Sequence, residues 1–478
     1  MRILITGGTG LIGQSTCSEL GCAGQTVTTL ARGESADWHA SITDVAALEG
    51  AASACDVVIH IAGIATESPP DNTFEKMNIE GTRNLLREAE RAGVKRFIYV
   101  SSLGAQRGKS DYHASKREAE ALVRASSLHT TVVRPGNVYG PGDEVISTLV
   151  TYVRTLPLVP LIDDGDHPFQ PVWHEDVGAA LAKLVSAETI AGEYDLAGPD
   201  VITMNQLLDL LAELTGREPR RITIPSGIVG FAARMAAAAG IDLPITADTL
   251  QMMLDGNYLR EGEPNGLVQL GITPTPLREG IQQLLQTLPE QTIDEGIGTA
   301  KHRIIRARIK TGSNAKQLFS RFVNEWHQFL AVETNVEQDE PAPLHEDDVV
   351  TLALPLKGNI SVRVLEARDN AVTLVTLKGH PLAGFVRFTF KDESGDVVFE
   401  VNVYDRPASA IDAIAMTLGG SYAQKSVWNE TARRVGAIGD SVEIENETHD
   451  LSERDVERVQ EWLDKIILRR LNKQDRIA

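Results

Sequence analysis

The first thirteen residues of the chain join an apolar run to a glycine-rich turn. Ile3, Leu4 and Ile5 predict a buried parallel strand, and the glycines after it have the spacing G-x-x-G-x-x-G. In such a turn the first glycine permits a tight bend, the second lets a pyrophosphate approach the backbone, and the third lets the next helix pack against the strand. Free amides at the start of that helix suit an anion. The segment therefore predicts a dinucleotide-binding turn, with contacts at Gly7, Thr9, Gly10, Leu11, Ile12 and Gly13.

Length and charge limit the class of protein. A chain of 478 residues exceeds one ordinary core, so two or three domains are expected. The net charge of −20 argues against nucleic acid and against an anionic membrane surface as partners. No apolar run reaches transmembrane length, and Met1 leads directly into the first strand, so we expect a cytoplasmic protein. Cys17, Cys22 and Cys55 lack metal-ligand spacing, and no metal site is predicted.

The end of the second predicted strand bears on the choice of cofactor. NAD enzymes of this architecture usually carry an acidic residue there, which binds the ribose 2′-hydroxyl. This chain has Ala31 and then Arg32, whose guanidinium can make a forked contact with the 2′-phosphate of NADP. The pattern favours NADP over NAD, with a solvated loop arginine as the alternative. Asp44 has two interpretations, a contact on the adenine side or a helix N-cap.

Further strand ends contribute candidate residues. A third buried strand ends in Ala62 and Gly63, which would let the cofactor pass close to the backbone. A later strand ends in Ser102, and ligands of open α/β sheets bind beyond the carboxyl ends of strands. Tyr112 follows ten residues later, and it shares one face of a predicted helix with Lys116 because the two are spaced i and i+4.

Taken together, these segments resemble the extended short-chain dehydrogenase/reductases, the superfamily of the NAD-dependent epimerases and dehydratases. The branch that they resemble contains the NADPH-binding accessory subunit of respiratory complex I. The resemblance covers about residues 1–290. It is carried by Thr6 to Gly13, Asn78, Ser102, Tyr112-x-x-x-Lys116 and Arg134 to Gly142.

The resemblance implies a catalytic group made of Ser102, Tyr112, Lys116 and Asn78. In this group Lys116 lowers the pKa of Tyr112 from its free value of about 10 and reaches the nicotinamide ribose. Tyr112 exchanges a proton with a substrate hydroxyl or carbonyl while hydride moves to or from the cofactor. Ser102 donates a hydrogen bond to the same oxygen. Asn78 holds the active-site helix and a proton-relay water.

The resemblance has three further implications. Pro135 and Gly136 would border the nicotinamide, and the helices over 78–92 and 112–125 would pair in a homodimer. The segment that leads to Tyr112 is short, basic and polar, which puts a sugar nucleotide in doubt as the substrate. The partner expected for the site is a small molecule, and the fusion to a second domain makes an apolar one the favoured class.

The chain is predicted to divide at a linker. Residues 1–290 form the NAD(P)-binding domain, in which the helical part at about 199–290 covers the substrate side. Residues 291–300, rich in Gly, Pro and acidic side chains, form the linker, and 301–478 form the second domain. An apolar pocket wall, or alternatively ordinary core packing, is suggested by Phe231, Met235, Leu243, Met252 and Met253.

The second domain has the pattern of an α+β fold with an antiparallel sheet. A curved antiparallel sheet that grips a long helix is the helix-grip (SRPBCC/START-like) arrangement of hydrophobe-binding domains. Lys378 to Phe388, followed by Arg406 and Pro407, resembles a family of small uncharacterised proteins of this type. The predicted elements are a basic edge strand from Arg303 to Lys310, a helix from Asn314 to Leu330, a meander between Val349 and Tyr404, and helices from about Ser409 to Val435 and from Glu453 to Leu471.

The sequence thus predicts an α/β protein with a Rossmann-type doubly wound parallel sheet, followed by a separate α+β helix-grip domain. The leading function is an NADP-dependent, oxidoreductase- or epimerase-like enzyme acting on a hydroxyl or carbonyl of a hydrophobic small molecule. The appended domain motivates the hydrophobic substrate. Two alternatives stay open, a non-catalytic NADPH-binding scaffold or accessory protein, and a sugar-nucleotide epimerase or dehydratase.

Overall fold

The computed structural model divides the chain into two compact units. The first comprises Met1–Leu149, Leu158–Leu210 and Arg220–Leu285, and the second comprises Val150–Pro157, Leu211–Pro219 and Gln286–Ala478. The residues that the structure describes are 1–33, 35–143, 145–155, 158–186, 192–238, 246–331, 333–334, 342–354, 358–408, 413 and 421–474.

The strands of the first unit follow one another along the chain with helices between most of them. They are β1 (Arg2–Thr6), β2 (Thr26–Ala31), β3 (Trp38–His39), β4 (Val57–His60), β5 (Arg96–Val100), β6 (His129–Pro135), β7 (Asn137–Tyr139), β8 (Leu158–Ile162), β9 (Pro168–Phe169), β10 (Pro171–Trp173), β11 (Gly192–Leu196), β12 (Ile202–Thr203) and β13 (Arg220–Ile224).

This part of the chain has eleven described α-helices. They are α1 (Leu11–Cys22), α2 (Val45–Leu48), α3 (Gly81–Arg91), α4 (Asp111–Ala125), α5 (Ile146–Thr155), α6 (His174–Ser186), α7 (Met204–Thr215), α8 (Ser226–Ala238), α9 (Ala247–Asp255), α10 (Gly266–Gln269) and α11 (Leu277–Gln286). A π-helical turn covers Glu75–Glu80, and a 3₁₀ turn covers Leu103–Gln106.

In the described part of the first unit, a seven-stranded parallel sheet has the order β11-β6-β5-β4-β1-β2-β3. Its central strands are apolar on both faces because helices cover both, and all four residues of β4 are buried. The strand order reverses between β1 and β4, and ligands of such sheets bind in the crevice at this point. The predicted Rossmann-type doubly wound fold is confirmed.

The second unit is built on an antiparallel sheet. The strands of this sheet are β14 (Lys301–Lys310), β15 (Glu333–Thr334), β16 (Val349–Leu354), β17 (Gly358–Arg368), β18 (Ala371–Thr376), β19 (Leu382–Glu393), β20 (Asp396–Pro407) and β21 (Ser441–Asp450). Its helices are α12 (Ala315–Asn324), α13 (Trp326–Phe329), α14 (Ser421–Gly436) and α15 (Glu453–Gln474), and a 3₁₀ turn covers Ile293–Glu295. Within the described ranges the sheet has eight strands in the order β15-β16-β17-β18-β19-β20-β14-β21, which confirms an α+β unit.

Both faces of this sheet are covered by side chains from helices. On one face Phe322 of α12 lies among rings of the sheet, with its centroid 5.2 Å from that of Phe388 and 5.9 Å from that of Phe399. On the other face Leu463 and Ile466 of α15 pack against the sheet, as the apolar stripe of the predicted last helix requires. The helix-grip identity of the unit stays a prediction.

The basic strand β14 is not an edge strand, contrary to the prediction. It pairs with β20 on one side and with β21 on the other. The strand β21 was missed because it is largely polar and exposed, and its apolar alternation is limited to Val442 and Ile444. Its acidic residues explain the pairing, since Glu445 lies opposite Arg306 and Glu443 lies opposite Arg308.

Three other predictions concern connections and helix ends. The residues expected to form a linker are grouped with the second unit, and Gln291 bonds through its backbone to Thr376 at 2.7 Å and to Gly384 at 3.0 Å. The helix predicted to end at Leu330 is interrupted at Glu325, and most of the predicted stretch 409–420 lies outside the described residues. No helix in the described ranges combines the length and apolarity that a membrane span requires.

Candidate functional site

A cleft of about 840 Å³ lies in the first unit and is lined by residues at the carboxyl ends of the sheet strands. Its volume is within the roughly 300–1,000 Å³ that small-molecule sites occupy. Most of the residues predicted to bind cofactor or substrate line it, namely Gly7, Thr9, Gly10, Leu11, Ile12, Arg32, Ala62, Gly63, Ser102, Tyr112, Lys116, Pro135 and Gly136.

The glycine turn has the close backbone contacts that its spacing predicts. Gly7 has φ +74°, and a Cβ placed on it would lie 2.9 Å from the amide nitrogen of Ala62. A Cβ on Gly13 would lie 2.2 Å from the carbonyl oxygen of Gly7. Gly13 does not line the cleft, and its absent side chain lets α1 pack on the turn. Gly10 is the N-cap of α1 and supplies no side-chain cap, which leaves the N-terminal amides of the helix to other acceptors.

Arg32 and Asp44 differ in position relative to the cleft. The exposed Arg32 follows β2 and lines the cleft, and its guanidinium donates to the Oδ1 atom of Asn72 at 3.0 Å. Asp44 does not line the cleft. Its carboxylate caps α2 by accepting hydrogen bonds of 3.1 Å from the amides of Ala46 and Ala47. The structure therefore gives Asp44 the N-cap role, and the short polar side chain is used locally.

Ser102 and Tyr112 are brought together beyond the carboxyl end of β5. Ser102 is buried just past the end of the strand, and Tyr112 lies in the first turn of α4. Burial raises the pKa of Tyr112 to about 12, and a side-chain hydrogen bond with Ser102 acts to lower it. This direction is opposite to the expected lowering by Lys116. The phenol of Tyr112 is therefore protonated at neutral pH.

Lys116 lies one helical turn beyond Tyr112 and is 5% exposed. Its ammonium donates to the carbonyl oxygen of Val100 at 3.1 Å and lies 5.2 Å from the ring centroid of Tyr99. Burial lowers the pKa of Lys116 to about 8, and the charge of Glu120 acts to raise it. Since one donor of the ammonium is used by Val100, two N–H donors are available for other groups in the cleft.

Asn78 is buried behind the cleft rather than in its lining. Its amide exchanges two hydrogen bonds with the backbone of Ile64, at 2.9 and 3.0 Å, and donates to the Oγ of Ser115 on α4 at 2.9 Å. A Cβ on Gly63 would lie 2.9 Å from the Oδ1 of Asn78 and 3.3 Å from the Nζ of Lys116. Asn78 thus connects α4 to the Gly63 turn, which agrees with the predicted helix-holding role.

Sequence reasoning missed a buried histidine beneath the site. His60, at the end of β4, is fully buried, and its ring nitrogens lie 2.7 Å from the Thr6 hydroxyl and 3.0 Å from the Thr82 hydroxyl. Thr82 in turn donates to the carbonyl oxygen of Asn78 at 2.6 Å. Burial lowers the pKa of His60 to about 3, with Lys116 acting in the same direction, so the ring is neutral. The apolar run around this histidine gave no signal for these contacts.

The second missed feature is a contact: α9, a helix that the sequence predicts over Ala247–Asp255, meets the start of α4. Asp248 accepts hydrogen bonds from the amides of Asp111 at 2.6 Å and Tyr112 at 3.2 Å. At the other end of α9, Asp255 accepts from the amides of Lys109 at 2.7 Å and Ser110 at 3.3 Å. These pairs are separated by more than 130 residues along the chain. Since no local pattern connects them, only the fold could show the contacts.

The wall of the cleft away from the glycine turn combines apolar side chains with polar ones, among them Asn137 and Asp143. Met252 lines the cleft, as the predicted pocket wall requires. Phe231, Met235 and Met253 are 63%, 56% and 36% exposed and do not line it, and Leu243 lies outside the described residues. Other lining residues on this side are Tyr139, Val145, Ile146, Phe169, Thr249 and Asn257.

Two parts of the chain match known protein families. Residues 3–196 match the NAD dependent epimerase/dehydratase family, which agrees with the resemblance to the short-chain dehydrogenase/reductase superfamily. Residues 292–434 match a domain of unknown function, DUF1990. The first match covers the parallel sheet and most of the cleft lining, but not Thr249, Met252 and Asn257, and the second covers most of the antiparallel sheet.

Individual relatives match the first unit. The chain is 30% identical over 174 residues to the mitochondrial NADH dehydrogenase 1 alpha subcomplex subunit 9 of Arabidopsis thaliana, which is 36% of this chain and 43% of the relative. It is 34% identical over 184 residues to a ceramide reductase of Caulobacter vibrioides, 37% of this chain and 56% of the relative. The chain thus spans about half the length of these two relatives. A solved structure, an NADPH-dependent quinone oxidoreductase of Escherichia coli, is 20% identical with a TM-score of 0.49 and covers 59% of this chain and 99% of its own.

Proposed function

We propose that the first unit is an NADP-dependent oxidoreductase that reduces or oxidises an apolar small molecule at a carbonyl or hydroxyl group. The observation that carries the proposal is the convergence of Ser102, Tyr112 and Lys116 on the same cleft as the Gly7–Gly13 turn. Convergence of a proton donor, a hydrogen-bond donor and a cation next to an anion-binding turn is what such chemistry requires. The match to the epimerase/dehydratase family supports the same reaction class.

The residues of the cleft fit a dinucleotide. At Gly7 and Gly13 the backbone of the turn lies so close to neighbouring backbone that a Cβ atom would clash with it, as in turns that bind a pyrophosphate. The 12-residue helix α1 has no side-chain cap at its N-terminus, so its first backbone amides suit the negative charge of a pyrophosphate. Arg32 follows the second strand and lines the cleft, which supports a role in pairing with the 2′-phosphate of NADP. When bound, the nicotinamide would supply or accept the hydride.

The proton would be handled by Tyr112. The phenol of Tyr112, whose pKa burial raises to about 12, is protonated at neutral pH and can give its proton to a carbonyl oxygen once the developing phenolate is stabilised by its neighbours. Ser102 would hold the carbonyl oxygen beside the phenol through a second hydrogen bond. Lys116, with two N–H donors left by its bond to Val100, would orient the nicotinamide ribose and stabilise the phenolate once the proton has left.

An apolar substrate is favoured over a sugar nucleotide by the cations of the cleft. Among the described lining residues, Arg32 and Lys116 are the cationic side chains, and both are assigned to the cofactor. The diphosphate of a sugar nucleotide would be favoured by further cations, whereas the described lining residues on the opposite wall are apolar (Val145, Ile146 and Met252), uncharged (Thr249 and Asn257) or anionic (Asp143). The name of one relative, a ceramide reductase, also denotes an apolar substrate. The hydrophobe-binding role of the second unit is part of this proposal.

Turnover tests the proposal directly. Oxidation of NADPH by the full chain would be measured by absorbance with a long-chain aldehyde and with a quinone as acceptors. Tyr112→Phe should lower kcat by about 10²- to 10⁴-fold with little change in the Kd for NADPH, because it removes the proton donor and keeps the ring that borders the cofactor. Tyr194→Phe, on β11 and outside the cleft lining, is the matched control. Wild-type turnover in Tyr112→Phe would contradict the proposed mechanism.

The cofactor preference is tested at Arg32. Fluorescence titration of the full chain should give a lower Kd for NADPH than for NADH, because the guanidinium pairs with the 2′-phosphate. Arg32→Ala should weaken NADPH binding by about 10- to 100-fold and leave NADH binding unchanged. Arg87→Ala, an exposed arginine on α3, is the control. An equal loss for both cofactors would reject a specific role for the 2′-phosphate.

A second candidate is an NADPH-binding accessory protein without turnover. It is favoured by the 30% identity to a subunit of NADH dehydrogenase. It predicts tight NADPH binding and a raised melting temperature with NADPH, while no carbonyl compound is reduced in a Tyr112-dependent way. The two candidates therefore share the Arg32 result and differ in the Tyr112 result.

A further inference from the structure

The segment between Ser102 and Tyr112 is held from outside by α9. The amides of Lys109, Ser110, Asp111 and Tyr112 follow one another along the backbone, and each donates to a carboxylate of α9. Asp248 takes two of these amides with its two oxygens, and the distances are 2.6 and 3.2 Å. Four consecutive amides thus depend on one helix that is far away in sequence.

These contacts satisfy a requirement of α4. The first amides of a helix have no partner within the helix, and an anion there also interacts favourably with the helix dipole. Ser110 caps only the amide of His113, at 3.1 Å. The amides of Asp111 and Tyr112 are therefore satisfied by Asp248 and not by the local cap.

The same segment is packed too closely to adjust by itself. The ring of His113 fills the space beside it, and a Cβ on Gly104 would lie 2.3 Å from the Nε2 of His113. A Cβ on Gly108 would lie 2.0 Å from its Nδ1. Asp255 approaches this ring as well, with its Oδ2 3.6 Å from the Nδ1. Any displacement of α9 therefore displaces the chain on both sides of the ring.

The helix that holds this segment also lines the cleft. Thr249 and Met252 of α9 are lining residues, and Asp248 directly precedes Thr249. The side chains that would contact a substrate and the carboxylate that fixes Tyr112 therefore belong to one rigid helix of nine residues.

We propose that Asp248 and Asp255 are positioning residues, which fix the Ser102–Tyr112 segment at a set distance from the substrate-facing side of α9. The inference rests on the proposed function for its kinetic consequence. Neither carboxylate acts on the reacting atoms. Their effect is to hold the phenol of Tyr112 where a bound carbonyl would accept its proton.

The first test is hydrogen exchange of the full chain with NADPH present, which requires no turnover. Asp248→Ala should increase exchange of the amides at 109–112 by about 10- to 100-fold, since hydrogen bonds to a charged group are lost. Peptides of the glycine turn should exchange as in the wild type. Asn314→Ala is the matched control, because it removes the N-cap of α12 in the second unit. Unchanged exchange at 109–112 would overturn the proposal.

The second test separates positioning from simple stabilisation. Asp248→Ala should lower kcat by about 10- to 100-fold with an unchanged Kd for NADPH, whereas Asn314→Ala should lower only the melting temperature. Asp248→Asn keeps one acceptor oxygen and should restore part of kcat. Asp255→Ala removes the other carboxylate of α9 and should also lower kcat, so the test does not depend on the folding of a single variant. Faster exchange with wild-type kcat would show a structural cap only and overturn the proposal. If Tyr112→Phe retained full turnover, the proposed function would fail, and the exchange result would still decide whether the carboxylates hold the segment.

Discussion

The two sheets of this protein differ in side-chain size, which is small at the carboxyl edge of the parallel sheet and large on the packed face of the antiparallel sheet. At the carboxyl edge of the parallel sheet, glycines bring backbone next to backbone, as the 2.2 Å Cβ distance at Gly13 illustrates. On the antiparallel sheet, the rings of Phe322, Phe388 and Phe399 lie 5.2–6.1 Å apart and fill the corresponding space. Small residues leave room for a ligand at this edge of the first unit, whereas large ones fill the face of the second sheet that Phe322 covers.

Two buried cations, Lys116 in the first unit and Arg363 in the second, differ in how many of their hydrogen-bond donors the protein uses. In the cleft, Lys116 retains donors beyond its single described bond to Val100. In the second unit, Arg363 is bonded to Glu290 at 2.5 Å and to two backbone carbonyls, so its guanidinium is used by the protein itself. Lys116 therefore has donors for a ligand of the cleft that it lines, whereas the donors of Arg363 hold the chain around it.

The largest effect is expected where the second sheet is filled. Phe322→Ala should lower the free energy of unfolding by about 3–5 kcal/mol, because it leaves a cavity among the phenyl rings. NADPH affinity should not change. Urea denaturation followed by circular dichroism gives the first quantity, and fluorescence titration gives the second. The control is Phe231→Ala, at an exposed side chain, which should change the free energy of unfolding by less than about 0.5 kcal/mol. A matching loss of NADPH affinity in Phe322→Ala would break the contrast between the units.

The converse change adds a methyl group at the glycine turn. Gly13→Ala should destabilise the protein by about 1–3 kcal/mol and abolish NADPH binding, since its Cβ would meet backbone atoms of Gly7 and Gly8. Gly21→Ala in the same helix meets no atom within 4 Å and should instead stabilise the helix by about 0.5–1 kcal/mol. Thermal unfolding and NADPH titration of both variants give the comparison. Equal behaviour of the two alanines would mean that the turn is not closely packed.

The buried His60 makes the first unit sensitive to acid. Its pKa is lowered from 6.5 to about 3 in the folded protein, so the unfolded chain binds more protons between these values, and stability falls as pH decreases through this window. Between pH 7 and pH 5 the free energy of unfolding should fall by about 2 kcal/mol on this account. His60→Gln should reduce that slope, whereas the exposed His129→Gln should not. An unchanged slope in His60→Gln would contradict the neutral buried ring.

The smallest effect concerns the edge of the second sheet. Glu445→Lys should lower the free energy of unfolding by about 0.2–1 kcal/mol, because it places a like charge opposite Arg306 across the β14–β21 pair. Added salt should reduce the loss, since both side chains are near the surface. Thermal unfolding at two salt concentrations measures it. A loss that does not depend on salt would point to a cause other than the charge pair.

Much of the site could be predicted because its signals are local. The spacing of the glycines gives the turn, the i and i+4 spacing of Tyr112 and Lys116 puts both on one face of α4, and both lysine and tyrosine line the cleft. The same applies to α12, where Asn314 and Gln317 form a capping box at the predicted helix start. In each case the evidence spans only a few residues of the chain.

The sequence by itself therefore determined the Rossmann-type sheet, the glycine turn and the direction in which the two catalytic candidates face. The tertiary structure alone decided that Asp44 caps a helix, that burial raises the pKa of Tyr112, and that Asp248 holds its amide. It also placed β21 beside β14. The physical reason is that periodicity fixes orientation within one element, whereas burial and long-range hydrogen bonds depend on which elements the fold brings together.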